Sequence, residues 1–140
     1  MRTLVFLSLV VCALIIGSVS WTTTAAMRGQ KQRAVAKFDS PVTLQGAVLK
    51  GTYLFVHDDA AMKRGEACTR VYKGESEATD KLVASFHCIA VPRATAKYFK
   101  VRTLETSSGT VELREFQFGG ESEGHAVPMP ANTAVVMVAN

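Results

Sequence analysis

The sequence predicts an all-β fold, an antiparallel β-sandwich or small barrel that follows an N-terminal apolar segment. Two observations lead to this prediction. From Phe38 onward, short runs rich in Val, Tyr, Phe and Thr alternate with turn residues, and no amphipathic helical period of useful length interrupts them. The 140 residues, 48% of them apolar, suffice for one domain with its own core and leave no room for a two-domain enzyme.

Residues 1–26 have the composition of a signal peptide. A basic residue, Arg2, precedes an apolar run from Leu4 to Val19, and small residues follow up to Ala26. The run is shorter than the roughly 20 residues that span a bilayer, which favours cleavage after Ala26 and export to the periplasm or the medium. The alternative is an uncleaved anchor, because residues 27–37 carry more positive charge than the segment before the run. In that case the N-terminus alone contacts the membrane.

Residues 27–37 are basic and lack a period, which predicts a flexible linker ahead of a single β-domain over residues 38–140. The formal charge of the whole chain is +4. A net charge this small does not provide the dense basic stripe that nucleic-acid binding requires, so no nucleic-acid partner is expected.

Eight strands are predicted in this domain from their alternation and their β-branched and aromatic residues. They are Val42–Leu44, Ala47–Lys50, Thr52–His57, Ala67–Lys73, Leu82–Val91, Tyr98–Glu105, Thr110–Phe118 and Thr133–Val138. Gln45-Gly46 and Lys50-Gly51 predict tight turns, and Ser107-Ser108-Gly109 predicts a hairpin. One helical turn is expected over Asp58–Gly65, with an aspartate at its start and a left-handed glycine at its end.

Cys68 and Cys88 are the cysteines that remain after cleavage, and they lie on two strands predicted to form a hairpin. Export places them in an oxidising compartment, so the sequence predicts a structural Cys68–Cys88 disulfide. Free thiols and a metal or redox role are the alternatives, although the C-x-x-C spacing of thioredoxin-like sites is absent. The same hairpin puts Phe86 on the face of the cysteines and His87 on the opposite face.

The three histidines, His57, His87 and His125, form a candidate metal site. Neutral imidazoles with a nearby carboxylate are ligands that metal ions accept. Because no H-x-H or H-x-x-x-H spacing is present, the alternative is that each histidine has a separate role, at a strand end, on a sheet face and in a loop. Candidate binding residues beside them are Asp58, Asp59 and Glu123.

Gly120-Glu121-Ser122-Glu123-Gly124 matches the G-x-S-x-G pattern of serine hydrolases. That pattern requires a helix directly after the serine, and the segment His125–Pro130 contains two prolines that exclude one. Glycine-rich phosphate-binding motifs are also absent from the sequence. No catalytic residue is assigned, and the chain is not expected to be an enzyme.

The segment Gln45–Asp59 resembles a recurring segment of small exported bacterial proteins, in which a run of the G-x-x-L-x-x-G-T-Y type opens an antiparallel β-domain. Gly65–Thr69 and Ser85–Cys88 are similar to stretches of uncharacterised members, and the resemblance covers Phe38 to Pro128. This chain has one residue fewer between the leucine and the second glycine, and it lacks the proline often found before Gly51. The resemblance implies a β-sandwich and export, and it supplies no activity.

The sequence therefore predicts an exported, non-enzymatic binding or interaction module, whose partner is an unknown ligand or an envelope protein. Its binding surface would involve Asp58–Gly65 and Gly119–His125. Two alternatives stay open. One is a small metal-binding protein that uses the three histidines, in which case a metal ion is its cofactor. The other is a structural envelope protein anchored by its N-terminus.

Overall fold

Residues 31–129 are described in the computed structural model, and they form one eight-stranded sheet that curls into a half-barrel. The strands are β1 (Gln32–Leu44), β2 (Ala47–His57), β3 (Thr69–Lys73), β4 (Leu82–Phe86), β5 (Ile89–Pro92), β6 (Lys100–Glu105), β7 (Val111–Gln117) and β8 (Glu123–Ala126). A short helix, α1 (Asp59–Lys63), follows β2, and a single 3-10 turn at Thr79–Lys81 precedes β4. The predicted all-β class is confirmed, in a form closer to the small barrel than to the sandwich.

The strands follow the order β4-β3-β2-β1-β7-β8-β5, and β6 also pairs with β7. Every pairing is antiparallel except that of β1 with β7, where Thr43 lies opposite Glu112. The predicted helical turn is confirmed. Asp58 caps α1 by accepting hydrogen bonds from two backbone amides, and Gly65 leaves the helix with a φ of 77°.

The linker predicted over residues 27–37 is wrong for residues 32–37, which form the first half of β1. This stretch pairs with β2 residue by residue, from Gln32 opposite His57 to Lys37 opposite Thr52. The partner strand satisfies its backbone hydrogen bonds, and Ala34 and Ala36 pack against the core, so this short and partly charged stretch is held extended. Charged side chains suit this position because β2 carries the apolar residues of the pair.

The turn predicted at Lys50-Gly51 is also wrong, because the two strands expected on either side of it form the single strand β2. Gly51 adopts a φ of 93° opposite Phe38, where the register of the β1–β2 pair shifts. A glycine there lets the strand bend without ending. The other two predicted turns are confirmed: Gln45-Gly46 joins β1 to β2, and residues 107–109 join β6 to β7.

The core fills the concave side of the half-barrel. Phe55 and Phe116 are completely buried there with ring centroids 5.5 Å apart, and Phe99 packs against both. Burial of one such ring stabilises the fold by about 2–3 kcal/mol. Leu54 and Val56 face the other side of the sheet, so the alternation predicted along β2 is confirmed.

The predicted signal peptide and the predicted strand Thr133–Val138 lie outside the described residues. Within residues 31–129, no helix has the length and apolar character needed to span a membrane.

Candidate metal centre

The strand predicted over Leu82–Val91 is two strands, and Cys88 lies in the break between them. Phe86 at the end of β4 pairs with β3, whereas Ile89 at the start of β5 pairs with β8. The chain therefore crosses from one end of the curled sheet to the other at Cys88. This crossing leaves the Cys88 side chain half-buried between the two ends.

His57 is the last residue of β2, on the core side of the strand with Tyr53 and Phe55, and is 4% exposed. The turn after it is fixed by the cap of α1 and by the backbone amide of Asp58, which donates to the carbonyl of Cys68 at 2.8 Å. That hydrogen bond holds the start of β3 beside the end of β2.

His125 comes from β8, which lies three places from β2 in the sheet order, beyond β1 and β7. Its ring stacks on Phe116 at 5.1 Å, meets the edge of Phe118 at 5.8 Å, and is 3% exposed. The curl of the sheet brings the centroids of His125 and His57 to 4.2 Å. Two histidines that are 68 positions apart in the sequence thus share one buried site.

The ligand atoms of His57, Cys88 and His125 all lie within 4.8 Å of one another. Cys88 Sγ is 3.6 Å from Nδ1 of His57 and 3.5 Å from Nδ1 of His125. A tetrahedral zinc ion, with bonds of about 2.3 Å to sulfur and about 2.0–2.1 Å to nitrogen, holds such ligand atoms about 3.5–3.6 Å apart. The two sulfur–nitrogen distances are therefore those of ligands around one ion, and the two imidazole nitrogens lie within 4.8 Å of each other.

A carboxylate orients the first of these ligands. Asp59 Oδ1 accepts a hydrogen bond from Nε2 of His57 at 2.9 Å. This bond places the His57 proton on Nε2 and leaves Nδ1, the atom that faces Cys88, free to donate its lone pair to a metal. The arrangement is the carboxylate–histidine pair that commonly supports a metal ligand.

Burial sets the protonation states of the other two ligands. It lowers the pKa of His125 to about 4, with a further contribution from the nearby His57, so the imidazole is neutral at physiological pH. Burial likewise raises the pKa of the Cys88 thiol to about 12. A metal ion at this position would replace the thiol proton, because the thiolate is the form that coordinates.

The predicted disulfide is not present. Cys68 and Cys88 are free thiols whose sulfur atoms lie 3.3 Å apart, whereas a disulfide bond is about 2.05 Å long. The two side chains do face each other, as the hairpin argument predicts. The backbone amide of Cys88 donates to the sulfur of Cys68 at 3.3 Å. The sequence predicts that Cys88 forms a disulfide. In the structure, its sulfur contacts two imidazoles as well as the sulfur of Cys68.

The third predicted histidine ligand is wrong, since His87 is exposed and is not part of the cluster. The physical reason is the alternation of β4, which turns Phe86 inward and His87 outward. The sequence predicts this facing, with Cys88 and Phe86 on one face and His87 on the other, and the structure confirms it for Phe86 and His87. Of the candidate binding residues, Asp58 caps α1, Asp59 orients His57, and Glu123 is exposed on β8 opposite Pro92.

The donor atoms of the cluster are two imidazole nitrogens and one sulfur, which suit a borderline or soft metal ion.

The resemblance of Gln45–Asp59 to exported bacterial proteins stays a prediction. Comparisons of this chain with protein-family models, with curated proteins and with solved structures find no match.

Proposed function

We propose that this protein is an exported metal-binding module whose ligands are His57, Cys88 and His125. The observation that carries the proposal is the distance from Cys88 Sγ to each imidazole Nδ1, 3.6 and 3.5 Å, which equals the separation of ligand atoms on a tetrahedral ion. The oriented His57 and the neutral His125 support it further.

Zn²⁺ is the proposed ion. Two imidazoles and a thiolate fill three positions of a tetrahedron, and the fourth is left for water or another ligand. Copper accepts the same donors and is the runner-up, because His₂Cys sites also hold copper in electron-transfer proteins. Competition between the two ions in one titration measures which the site prefers.

The test is a titration of the purified, reduced protein with Zn²⁺, repeated with Co²⁺ as a spectroscopic substitute. We expect one equivalent to bind, and the Co²⁺ form to show a thiolate-to-metal charge-transfer band. Cys88→Ser removes the band and His57→Gln weakens binding by at least about 100-fold, since even the loss of a group that orients a ligand costs about 10- to 100-fold.

Two matched variants serve as controls. His87→Gln changes an exposed histidine and leaves the affinity unchanged, and Cys68→Ser keeps the charge-transfer band because Cys68 is not a proposed ligand. Stoichiometric binding that survives Cys88→Ser, or that disappears with His87→Gln, would contradict the proposed ligand set.

A second function is favoured by one observation, the sequence of contacts from Cys88 to His57 to Asp59, which has the order of a thiol–imidazole–carboxylate catalytic group. A nucleophilic cysteine has a lowered pKa, however, and burial raises that of Cys88 to about 12. Binding rather than catalysis is therefore the proposed role. Rapid alkylation of Cys88 by iodoacetamide near neutral pH would favour the catalytic alternative.

Export is part of the proposal and rests on the apolar run and small residues of positions 1–26. The mass of the protein purified from the envelope of an expressing bacterium tests it. A mass equal to residues 27–140 supports cleavage and a periplasmic or secreted module. The mass of the full chain favours the N-terminal anchor of a structural envelope protein.

A further inference from the structure

The sulfur of Cys88 has two kinds of partner within reach, the sulfur of Cys68 and the imidazoles of two histidines. Its distance to the sulfur of Cys68 is 3.3 Å, and its distances to the imidazole nitrogens of His57 and His125 are 3.6 and 3.5 Å. A metal ion requires this sulfur as a thiolate, and a sulfur bonded to Cys68 is no longer one. Metal coordination and a bond to Cys68 therefore exclude each other.

We infer that the metal centre is regulated by oxidation: a bond between Cys68 and Cys88 removes the thiolate ligand and releases the ion, and its reduction restores the site. The inference rests on the metal-binding function proposed above, and it assigns Cys68 a regulatory role outside the ligand set.

The surroundings of the two sulfurs permit this exchange. Closure of the bond requires an approach of about 1 Å. Cys88 lies between β4 and β5, so its side chain can make this movement without breaking a strand pairing. Cys68 is 1% exposed and Cys88 is half-buried, so a small oxidant reaches Cys88 first and the adjacent Cys68 completes the reaction.

The oxidant is a low-molecular-weight disulfide such as oxidised glutathione. The Cys88 sulfur, which reacts slowly and only as its thiolate, attacks one sulfur of this molecule, forms a mixed disulfide and releases the first small thiol. The Cys68 sulfur then attacks Cys88, forms the internal bond and releases the second small thiol. The two protein sulfurs lose two electrons to the small disulfide. One small thiol takes the proton of Cys68 and the other takes a proton from water, because the metal ion had already displaced the proton of Cys88, and the ion then leaves the remaining imidazoles.

The test measures the oxidation equilibrium in glutathione redox buffers at several free Zn²⁺ concentrations held by a chelator. Peptide mapping identifies the Cys68–Cys88 bond, and the reduced protein is first titrated with Zn²⁺. Because Zn²⁺ binds the reduced form alone, free Zn²⁺ at 100 times the Kd should disfavour oxidation by about 100-fold. His87→Gln should behave identically, and His57→Gln, which keeps both cysteines, should lose the Zn²⁺ dependence.

A second measurement needs no variant. Oxidised wild-type protein should bind Zn²⁺ at least about 100-fold more weakly than reduced protein, and full affinity should return on reduction. Failure of the reduced protein to bind Zn²⁺ overturns the metal-binding function itself. The regulation alone is overturned if the reduced protein binds Zn²⁺ but Zn²⁺ does not shift the oxidation equilibrium. It is also overturned if no Cys68–Cys88 bond forms at any buffer ratio.

Discussion

Asp59 contacts the proposed metal centre through His57. Its carboxylate accepts a hydrogen bond from Nε2 at 2.9 Å, which fixes the orientation of the ring and the tautomer that presents Nδ1 to Cys88. Asp58, one residue earlier, has a different task, because its carboxylate caps α1. Two adjacent aspartates that look equivalent in the sequence thus serve the site and the helix separately.

Asp59→Asn tests this role at the scale of one residue. The amide oxygen can still accept the proton of His57, but the negative charge is lost, so we expect Zn²⁺ affinity to fall by about 10-fold. Asp59→Ala removes the acceptor as well and should cost more, up to about 100-fold. A competition titration measures both. The control is Glu123→Gln, which removes an exposed carboxylate on β8. An equal loss of Zn²⁺ affinity in this variant would show that the overall charge, rather than the contact with His57, determines the affinity.

At the scale of elements, Glu115 on β7 ties its neighbours together. Its carboxylate is almost buried and accepts hydrogen bonds from Arg93, directly after β5, at 2.8 and 2.6 Å. Arg102 on β6 lies 3.3 Å away. The hydrogen bond from Arg93, followed by the charges of Arg93, Arg102 and Lys100, holds the pKa of Glu115 below its usual range. Strands β5 and β6 are thereby linked through one side chain.

Glu115→Gln should lower the free energy of unfolding by about 1–3 kcal/mol at neutral pH. Since the folded state lowers the pKa of Glu115, its contribution is present above the unfolded value of about 4.3 and is lost as the pH falls through the folded one. Urea unfolding of both proteins at neutral pH and at low pH checks this. The difference in the free energy of unfolding between the two proteins should shrink in acid. His125 also titrates at low pH, but it is present in both proteins, so its contribution cancels in this difference. A difference independent of pH would contradict the ionic origin.

At the scale of the whole molecule, the proposed centre joins two strands that are not neighbours in the sheet, because His57 belongs to β2 and His125 to β8. Zn²⁺ should therefore stabilise the fold as a unit. Free Zn²⁺ at 100 times the Kd adds about 2.7 kcal/mol, which for a domain of this size raises Tm by about 10 °C. Calorimetry of the reduced protein measures the rise. It should persist in His87→Gln and disappear in Cys88→Ser, and a rise of equal size in Cys88→Ser would indicate binding elsewhere.

Local patterns predicted most of the fold. Alternation located β2, β6 and β7, and the cap residues located α1. The errors arose where a distant partner decides the structure. Residues 32–37 present only small apolar residues, Ala34 and Ala36, to the core, a signal too weak to predict a strand, and they are extended because β2 pairs with them. Gly51 has the chemistry of a turn, but pairing on both sides of it continues the strand.

The site was predictable only in part for the same reason. His57 was identified at a strand end beside two carboxylates, and His125 was identified by residue type alone. Their meeting depends on the curl of the sheet, which no local pattern encodes. Cys88 was assigned to a disulfide because Cys68 faces it, and the sequence does not reveal that two imidazoles face it as well.

The wide separation of the ligands also has a consequence for the order of events during synthesis. Cys88 is 31 positions from His57 and 37 from His125. Contacts between such distant residues form slowly, because the loops that join them must close first. A growing chain that has emerged only as far as β5 presents two of the three ligands, His57 and Cys88. In the proposed centre, full affinity for the ion therefore requires β8, so we expect metal capture only after β8 has been synthesised and has docked.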